Sequence, residues 1–422
     1  MPAELLLLVP TRSYRTDDFV EAARRRGVGV VLGSDLCHRV EETFGGVEGV
    51  VSLDYRDPER AAERIAELAR ERPIRGVVPT DDATGVIAAI AAARLGLCHN
   101  PPAAARRAAH KAESRRALAA AGVAVPRFSV HPLGDGPEGP SRQAPYPCVL
   151  KPVNLSASRG VIRADDPEAF AAAWRRIERI VDRARAERRP SDPEARSILV
   201  EAFVPGPEVA LEGLLREGRL EVLALFDKPD PLDGPFFEET IYVTPSRHEE
   251  RVQAEVAQVA AAAAAALGLA EGPVHAELRL GPGGPVVLEV AARSIGGLCS
   301  RSLRFGAGIT LEEIVVAHAM GLAGVAGPRE RRASGVMMLP IPRAGVLHGV
   351  EGLGDARAVP GVEDVVITIP EGREVEPLPE GDAYLGFLFA RGETPAEVEA
   401  ALRAGQARLR FDIRAPLPTV GG

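Results

Sequence analysis

Two glutamates, Glu277 and Glu289, stand at matched distances from the turn GPGGP in the stretch GPVHAELRLGPGGPVVLEVAARSIGG, residues 272–297. A hairpin centred on Gly283 sets Glu277 opposite Glu289, Arg279 opposite Val287 and His275 opposite Ala291. Its other face is apolar, with Leu278 against Leu288, Leu280 against Val286 and Ala276 against Val290. Directly opposed residues have Cβ atoms about 5 Å apart, where like charges repel. A positive charge between the two carboxylates is therefore expected. With no cysteine or histidine cluster beside them, a hard divalent cation that takes oxygen ligands, above all Mg2+, suits the pair. A solvated face on an exposed hairpin, one residue out of register, would also account for the charges, so the rest of the chain has to decide.

Of 51 basic residues only Lys111, Lys151 and Lys228 are lysine. Lysine differs from arginine in being a compact, mobile point charge that reaches a phosphate on a flexible stem. Lys111 lies in the helical stretch PPAAARRAAHKAESRRALAAAG, and Lys151 in the strand CVLKPV. The polar turn NLSASRG follows that strand, and hydroxyls and backbone N–H groups around Ser156, Ser158 and Gly160 can cradle phosphate oxygens. It is not a Walker A loop, because GxxxxGK[ST] is absent. The stretch VEAFVPGPEVA sets Glu201 and Glu208 around a strand-to-turn corner with Phe203 and Val204 between them. Such a corner can offer backbone groups to an adenine edge and a carboxylate to ribose hydroxyls; solvated acids on an edge strand would look the same.

The elements that must position these residues fall into three regions. Residues 1–100 alternate apolar runs with helical patterns, β-α-β-α-β-α, which predicts a doubly wound parallel sheet. VPTRSY after the first strand is not GxGxxG, so this layer is expected to shape a cleft and not to hold a nicotinamide. Residues 101–328 read as strands and helices of an α+β unit, with a smaller lobe at about 126–205. The alanine run from Ala260 to Ala266 belongs to a helix ended by Gly268. Residues 329–422 read as a C-terminal α+β lobe able to close over a cleft. A net charge of -8 and a pI near 5.7 offer no field for nucleic acid or an anionic membrane. ELLLLVP is too short to span a bilayer and lacks a basic flank, so it reads as the first buried strand. The four cysteines, Cys37, Cys98, Cys148 and Cys299, show no CxxC or zinc spacing, which predicts a reduced, cytoplasmic setting.

Taken in order, Lys111, Lys151, SASRG, EAFVPGPE, Glu277, Glu289 and Arg293 resemble the ATP-grasp superfamily, from about Val78 to Met320. The resemblance implies two α+β lobes clamping ATP, preceded by the doubly wound domain and followed by the C-terminal lobe. It implies Lys111 and Lys151 on the nucleotide, Ser156 to Gly160 as a loop closing on the phosphates, and the Glu201–Phe203–Val204 hinge at the adenine. Glu208 would meet the ribose, while Glu277 and Glu289 would hold one or two Mg2+ ions, with Mn2+ as a substitute. The family's E-x-N-x-R here reads Glu289-Val-Ala291-Ala-Arg293, so one oxygen ligand is missing. Arg293 remains, where a guanidinium suits a transferring phosphoryl group.

ARSIGGLCSR is similar to the L-amino acid ligases more than to biotin carboxylases. That likeness implies ATP-dependent joining of a carboxylate to an amine through an acyl phosphate, with amino acids as partners and ADP and phosphate released. Lys228, His275, Gly296, Gly297, Arg301 and Arg304 would then surround the substrates. His275 and His248 would be available for proton transfer, and SASRG and PDPLDGPFFEET would serve as lids. A bicarbonate- or formate-using enzyme of the same superfamily and an ATP-binding regulator without turnover are the rival readings. No nucleic-acid or membrane partner is expected, and a homodimer is compatible with the sequence.

Overall fold

Glu4–Val9 is buried along its whole length, as an apolar run must be when parallel neighbours flank it on both sides. The computed structural model describes residues 3–10, 13–35, 47–188, 193–323 and 327–415; Cys37 lies outside them. The N-terminal sheet is parallel throughout, in the order Gly49–Ser52, Gly29–Ser34, Glu4–Val9, Ile74–Pro79. This is the expected doubly wound sheet with one strand more than the sequence pattern showed. Gly49–Ser52 is four residues long and partly exposed, too short to display a period. Strand order reverses between Glu4–Val9 and Ile74–Pro79, and sheets of this kind receive ligands at the carboxyl ends of such a pair. Tyr14, Arg15, Thr80, Asp81 and Asp82 lie beyond those ends.

The stretch expected as one helix around Lys111 is two, Pro102–Ala109 and Lys111–Ala120. His110 between them is extended, and its Nδ1 accepts the Glu113 N–H, so the imidazole caps the second helix. The break brings the Lys111 N–H to the Val153 carbonyl, 3.1 Å away, and turns the lysine toward the next layer. That layer is a four-stranded antiparallel sheet, ordered Phe128–Pro132, Ser197–Ala202, Cys148–Pro152, Ile162–Ala164. Helix Pro167–Arg188, its start capped by Asp166, covers it with Phe170, Trp174 and Ile177.

An eight-stranded antiparallel sheet carries the rest, in the order Gly284–Ala291, Gly272–Gly281, Glu208–Arg216, Arg219–Lys228, Ile241–Thr244, Ala333–Leu339, Gly386–Gly392, Val362–Ile367. Its last three strands come from the C-terminal region, joined through Ile241–Thr244. Helix Glu250–Leu267 backs one face, where alanines at 260, 263 and 264 let it approach closely. Gly268, at φ +78°, ends it.

The glutamate hairpin follows the expected register for His275–Ala291, Ala276–Val290 and Glu277–Glu289, and then departs from it. A bulge at Leu288 sets Leu278 opposite Val287, Arg279 opposite Val286 and Leu280 opposite Pro285. Arg115 sits at the bulge, where its guanidinium donates to the Val287 and Leu288 carbonyls at 3.2 and 2.7 Å and so satisfies the irregular backbone.

The corner before Glu208 is equally specific. Gly206 is at φ +114°, and a Cβ there would collide with the Leu280 carbonyl of the hairpin. Gly206→Ala is expected to cost about 1–3 kcal/mol, read as a lower urea midpoint; an unchanged midpoint would contradict this packing.

Candidate active site

Between the small antiparallel sheet and the large one lies a cleft of about 720 Å³, and a second cavity of about 1310 Å³ adjoins it. Lys111, Lys151, Ser158, Glu201, Phe203, Val204 and Glu208 converge on the first. Ser156, His275, Arg293, Gly296 and Gly297 line the second. Ala157, Ser158, Glu239, Glu277 and Glu289 belong to both, so the carboxylates sit where the two spaces meet.

Four expected residues lie elsewhere among the described residues. Arg301 forms a forked pair with Asp18 at 2.8 and 2.9 Å, and Arg304 donates to the carbonyls of Arg301 and Leu303. Neither residue lines either of these two cavities. His248 borders a separate surface groove near Asp227. Gly160 contacts Pro152, whose ring stands where a Cβ would be, so its role is close packing.

The first cleft has an aromatic and cationic end. The Phe203 ring lies between the guanidinium groups of Arg163 and Arg279, 4.3 and 4.9 Å from its centroid, with Phe237 beside it. Leu288, turned by the bulge, forms the facing wall with Val149 and Val161. Glu201 does not offer its carboxylate to the cleft. It is buried against Arg115 and Lys151, with the lysine at 2.8 Å. Burial alone would raise its pKa, but Arg115 and Lys151 outweigh that and hold it below the usual range.

Lys228, expected beside the substrates, lines neither cavity, and its side chain is only 3% exposed. It sits beneath the meeting point of the cavities, bonded to Glu208 at 2.7 Å, Glu277 at 3.2 Å and Glu239. Burial alone would lower its pKa, yet the three carboxylates raise it well above the ordinary value. This answers the opposition of Glu277 and Glu289. Each faces its own cation, Glu277 toward Lys228 and Glu289 toward Lys111 at 3.4 Å. Glu239 is raised to about 7 by burial and then by Glu277, and Lys228 only partly offsets this. Carboxylate oxygens of Glu208, Glu239 and Glu277 lie within 4.8 Å of one another. Together with Glu289 they form a hard oxygen donor set of the kind a divalent cation takes.

A charge ladder crosses the neighbouring strands. His275 pairs with Glu212 at 3.1 Å and lies 3.5 Å from Glu277, while Arg279 pairs with Glu208 at 3.1 Å. Burial would lower the His275 pKa, but the hydrogen bonds to Glu212 and Glu277 raise it to about 9, so it is an imidazolium at neutral pH. Sequence reasoning missed Glu212, Glu239 and the role of Arg279. The pattern H-x-E-x-R from 275 to 279 against Glu208 and Glu212 was there to be read, since alternate residues of paired strands share a face. Nothing periodic marks Glu239, at the end of a Pro- and Gly-rich loop.

The second cavity is walled by the switch-point end of the N-terminal sheet and by the C-terminal strands. Arg293 makes a two-pronged pair with Asp82, both contacts 2.9 Å, at the start of helix Asp82–Leu95. Arg15 is buried and anchored at 2.6 Å to the Ser294 hydroxyl. The opposite wall is apolar, with Tyr14 and Tyr384 edge-on to Phe387, and Ile295 and Met338 nearby. The loop over both spaces holds Ala157 and Ser158 at φ +56° and +55°, and it is tied to the C-terminal region by Gly160 N–H to Pro379 and Arg159 to Glu380, each 2.9 Å.

Residues 144–302 match the model of an ATP-grasp domain, 20–99 an ATP-grasp N-terminal domain, and 337–414 an L-amino acid ligase C-terminal domain. The crystal structure of an L-amino acid ligase from Bacillus licheniformis is similar at a TM-score of 0.80 and 26% identity, covering 98% of this chain and all of that one. Carnosine synthase 1 of Gallus gallus is 31% identical over 79% of this chain and 38% of its own length. This chain thus spans about two fifths of that relative. Alanine–anticapsin ligase of Bacillus subtilis is 25% identical over 58% of this chain and 53% of its own.

Because the folded pKa of His275 lies above its ordinary 6.5, its contribution to stability is present below pH 6.5 and lost as pH rises through about 9. The thermal midpoint of the ligand-free protein should fall across that window, with a shallower slope in His275→Gln; equal slopes would refute the assignment. Gly297, at φ +58°, has Phe387 2.7 Å from the site of a Cβ, whereas Gly296 has only Arg293, at 3.9 Å. Gly297→Ala should lower the thermal midpoint and Gly296→Ala leave it nearly unchanged; the reverse order would exclude this reading of the cavity wall.

Proposed function

The chain is an ATP-grasp ligase, and from that premise we propose that it joins two amino-acid-type substrates through an acyl phosphate. The observation that carries this reading is the junction of two cavities at Glu239, Glu277 and Glu289. One cavity has lysines and an aromatic end suited to a nucleotide; the other has an arginine and an apolar wall suited to an amino acid. ATP-grasp proteins bind ATP with a divalent metal, and the oxygen donors present here fit Mg2+. Glu239, Glu277 and Glu289 would hold it, and it would draw charge from the phosphate oxygens.

In the proposed reaction a carboxylate oxygen of one substrate takes the γ-phosphoryl group and ADP leaves. The amine of the second substrate then attacks the acyl carbon, phosphate departs, and the amine gives up a proton. Activation is needed because a carboxylate oxygen is a poor leaving group. Lys111 and Lys151 neutralise the phosphates, with Glu201 fixing the Lys151 ammonium group. Asp82 orients Arg293 toward the second cavity, where it steadies charge on the acyl phosphate. His275 positions Glu277 from behind. Ala157 and Ser158 cover the junction and exclude water, which would otherwise hydrolyse the intermediate. The Phe387, Tyr384 and Tyr14 wall favours an apolar side chain on one partner.

Purified protein with Mg-ATP and pairs of L-amino acids should yield ADP, phosphate and a product with the mass of both acids less water. Glu289→Gln should reduce that yield on the order of a hundredfold, the scale of losing one charge-stabilising group, with the fold intact by circular dichroism. ADP release that responds only to bicarbonate or formate, or tight ATP binding without turnover, would overturn the proposal.

A further inference from the structure

Away from the ligase cleft, Cys98, Glu271 and His318 come together from three separate elements. Cys98 follows helix Asp82–Leu95, Glu271 precedes strand Gly272–Gly281, and His318 is in the last turn of helix Leu311–Ala319. Cys98 Sγ is 3.6 Å from Glu271 Oε2 and 3.6 Å from His318 Nε2, and these last two atoms are 3.3 Å apart. Tetrahedral zinc, with bonds of about 2.3 Å to sulfur and about 2.0–2.1 Å to nitrogen and oxygen, places its ligand atoms about 3.5–3.6 Å apart for S···N and S···O and about 3.3–3.4 Å apart for N···O. The observed triangle has those sides. We propose that Cys98, Glu271 and His318 form a binding site for a zinc-type divalent cation, separate from the ligase metal site.

The surroundings support the site. Glu271 is held by Asn100, whose Oδ1 accepts its N–H at 2.9 Å and whose Nδ2 donates to its carbonyl at 2.6 Å. Its second oxygen accepts the Glu217 N–H at 3.0 Å, which leaves Oε2 directed at the other two ligands. The His318 side chain is 8% exposed, whereas Cys98 is exposed and opens the fourth position to solvent. Ligation by the thiolate would release the Cys98 proton. An Arg216 N–H faces His318 Nδ1 at 3.3 Å. Ligation through Nε2 moves the ring proton to Nδ1, so Arg216 turns away; it is 46% exposed, with Glu221 3.9 Å away.

The residue types and their softness favour zinc or cobalt over Mg2+. A bound ion would tie the N-terminal sheet to the strand that carries His275 and Glu277 and to the helix packed below it.

Cobalt titration of the chelator-treated full chain in excess Mg2+ tests the site. One equivalent should produce a thiolate-to-cobalt charge-transfer band and the intense visible bands of tetrahedral cobalt, and Zn2+ should displace both and raise the thermal midpoint. Cys98→Ser should abolish the charge-transfer band, His318→Gln should weaken binding by at least about tenfold, and Arg216→Gln should tighten it. Glu271→Gln is a second ligand variant should Cys98→Ser fold poorly, and it should also weaken binding. No charge-transfer band at cobalt saturation, or one that persists in folded Cys98→Ser, would overturn the proposal.

Discussion

Lys228, buried among Glu208, Glu239 and Glu277, is the charge on which the centre of this molecule rests. Three carboxylates cannot share a dry space without a cation, and each also orders something else, Glu239 by accepting the Tyr242 hydroxyl at 2.8 Å. Glu208 holds Arg279, which in turn stacks on Phe203; Glu277 meets His275, which holds Glu212. The aromatic end of the first cleft, the carboxylate junction and the strand ladder are therefore one electrostatic unit. A bound divalent cation would enter an existing balance and share carboxylates that Lys228, His275 and Arg279 already offset.

How far this was legible in the chain depends on how local each cause is. The pairing of Glu277 with Glu289 follows from counting back from a tight turn, and it is present. The bulge that shifts the other half of that hairpin was not legible, because Arg115, which satisfies its backbone, is distant in sequence and on a different element. The three lysines were worth singling out, yet their rarity did not reveal that Lys228 is a structural counter-ion while Lys111 and Lys151 line the cleft. The likeness to ligases placed Arg301 and Arg304 around the substrates; in the fold Asp18 and nearby carbonyls hold them. Cys98, Glu271 and His318 illustrate the same limit, since no spacing rule joins residues from three elements.

The C-terminal region reads in sequence as a separate lobe, and its strands instead continue the sheet that carries the glutamates. That continuity gives the second cavity its rigid apolar wall. Phe387 pairs with Met338 on Ala333–Leu339, which pairs with Ile241–Thr244 and so joins it to the strand of Lys228. The N-terminal sheet contributes the other wall from its switch point and reaches the site through Asp82 and Arg15.

Ala157 and Ser158 roof both cavities, and the loop that carries them is fastened through its neighbours Arg159 and Gly160 to the segment around Pro379 and Glu380. One segment therefore roofs two spaces. Were it displaced, both would open together, so the two are coupled through a shared cover.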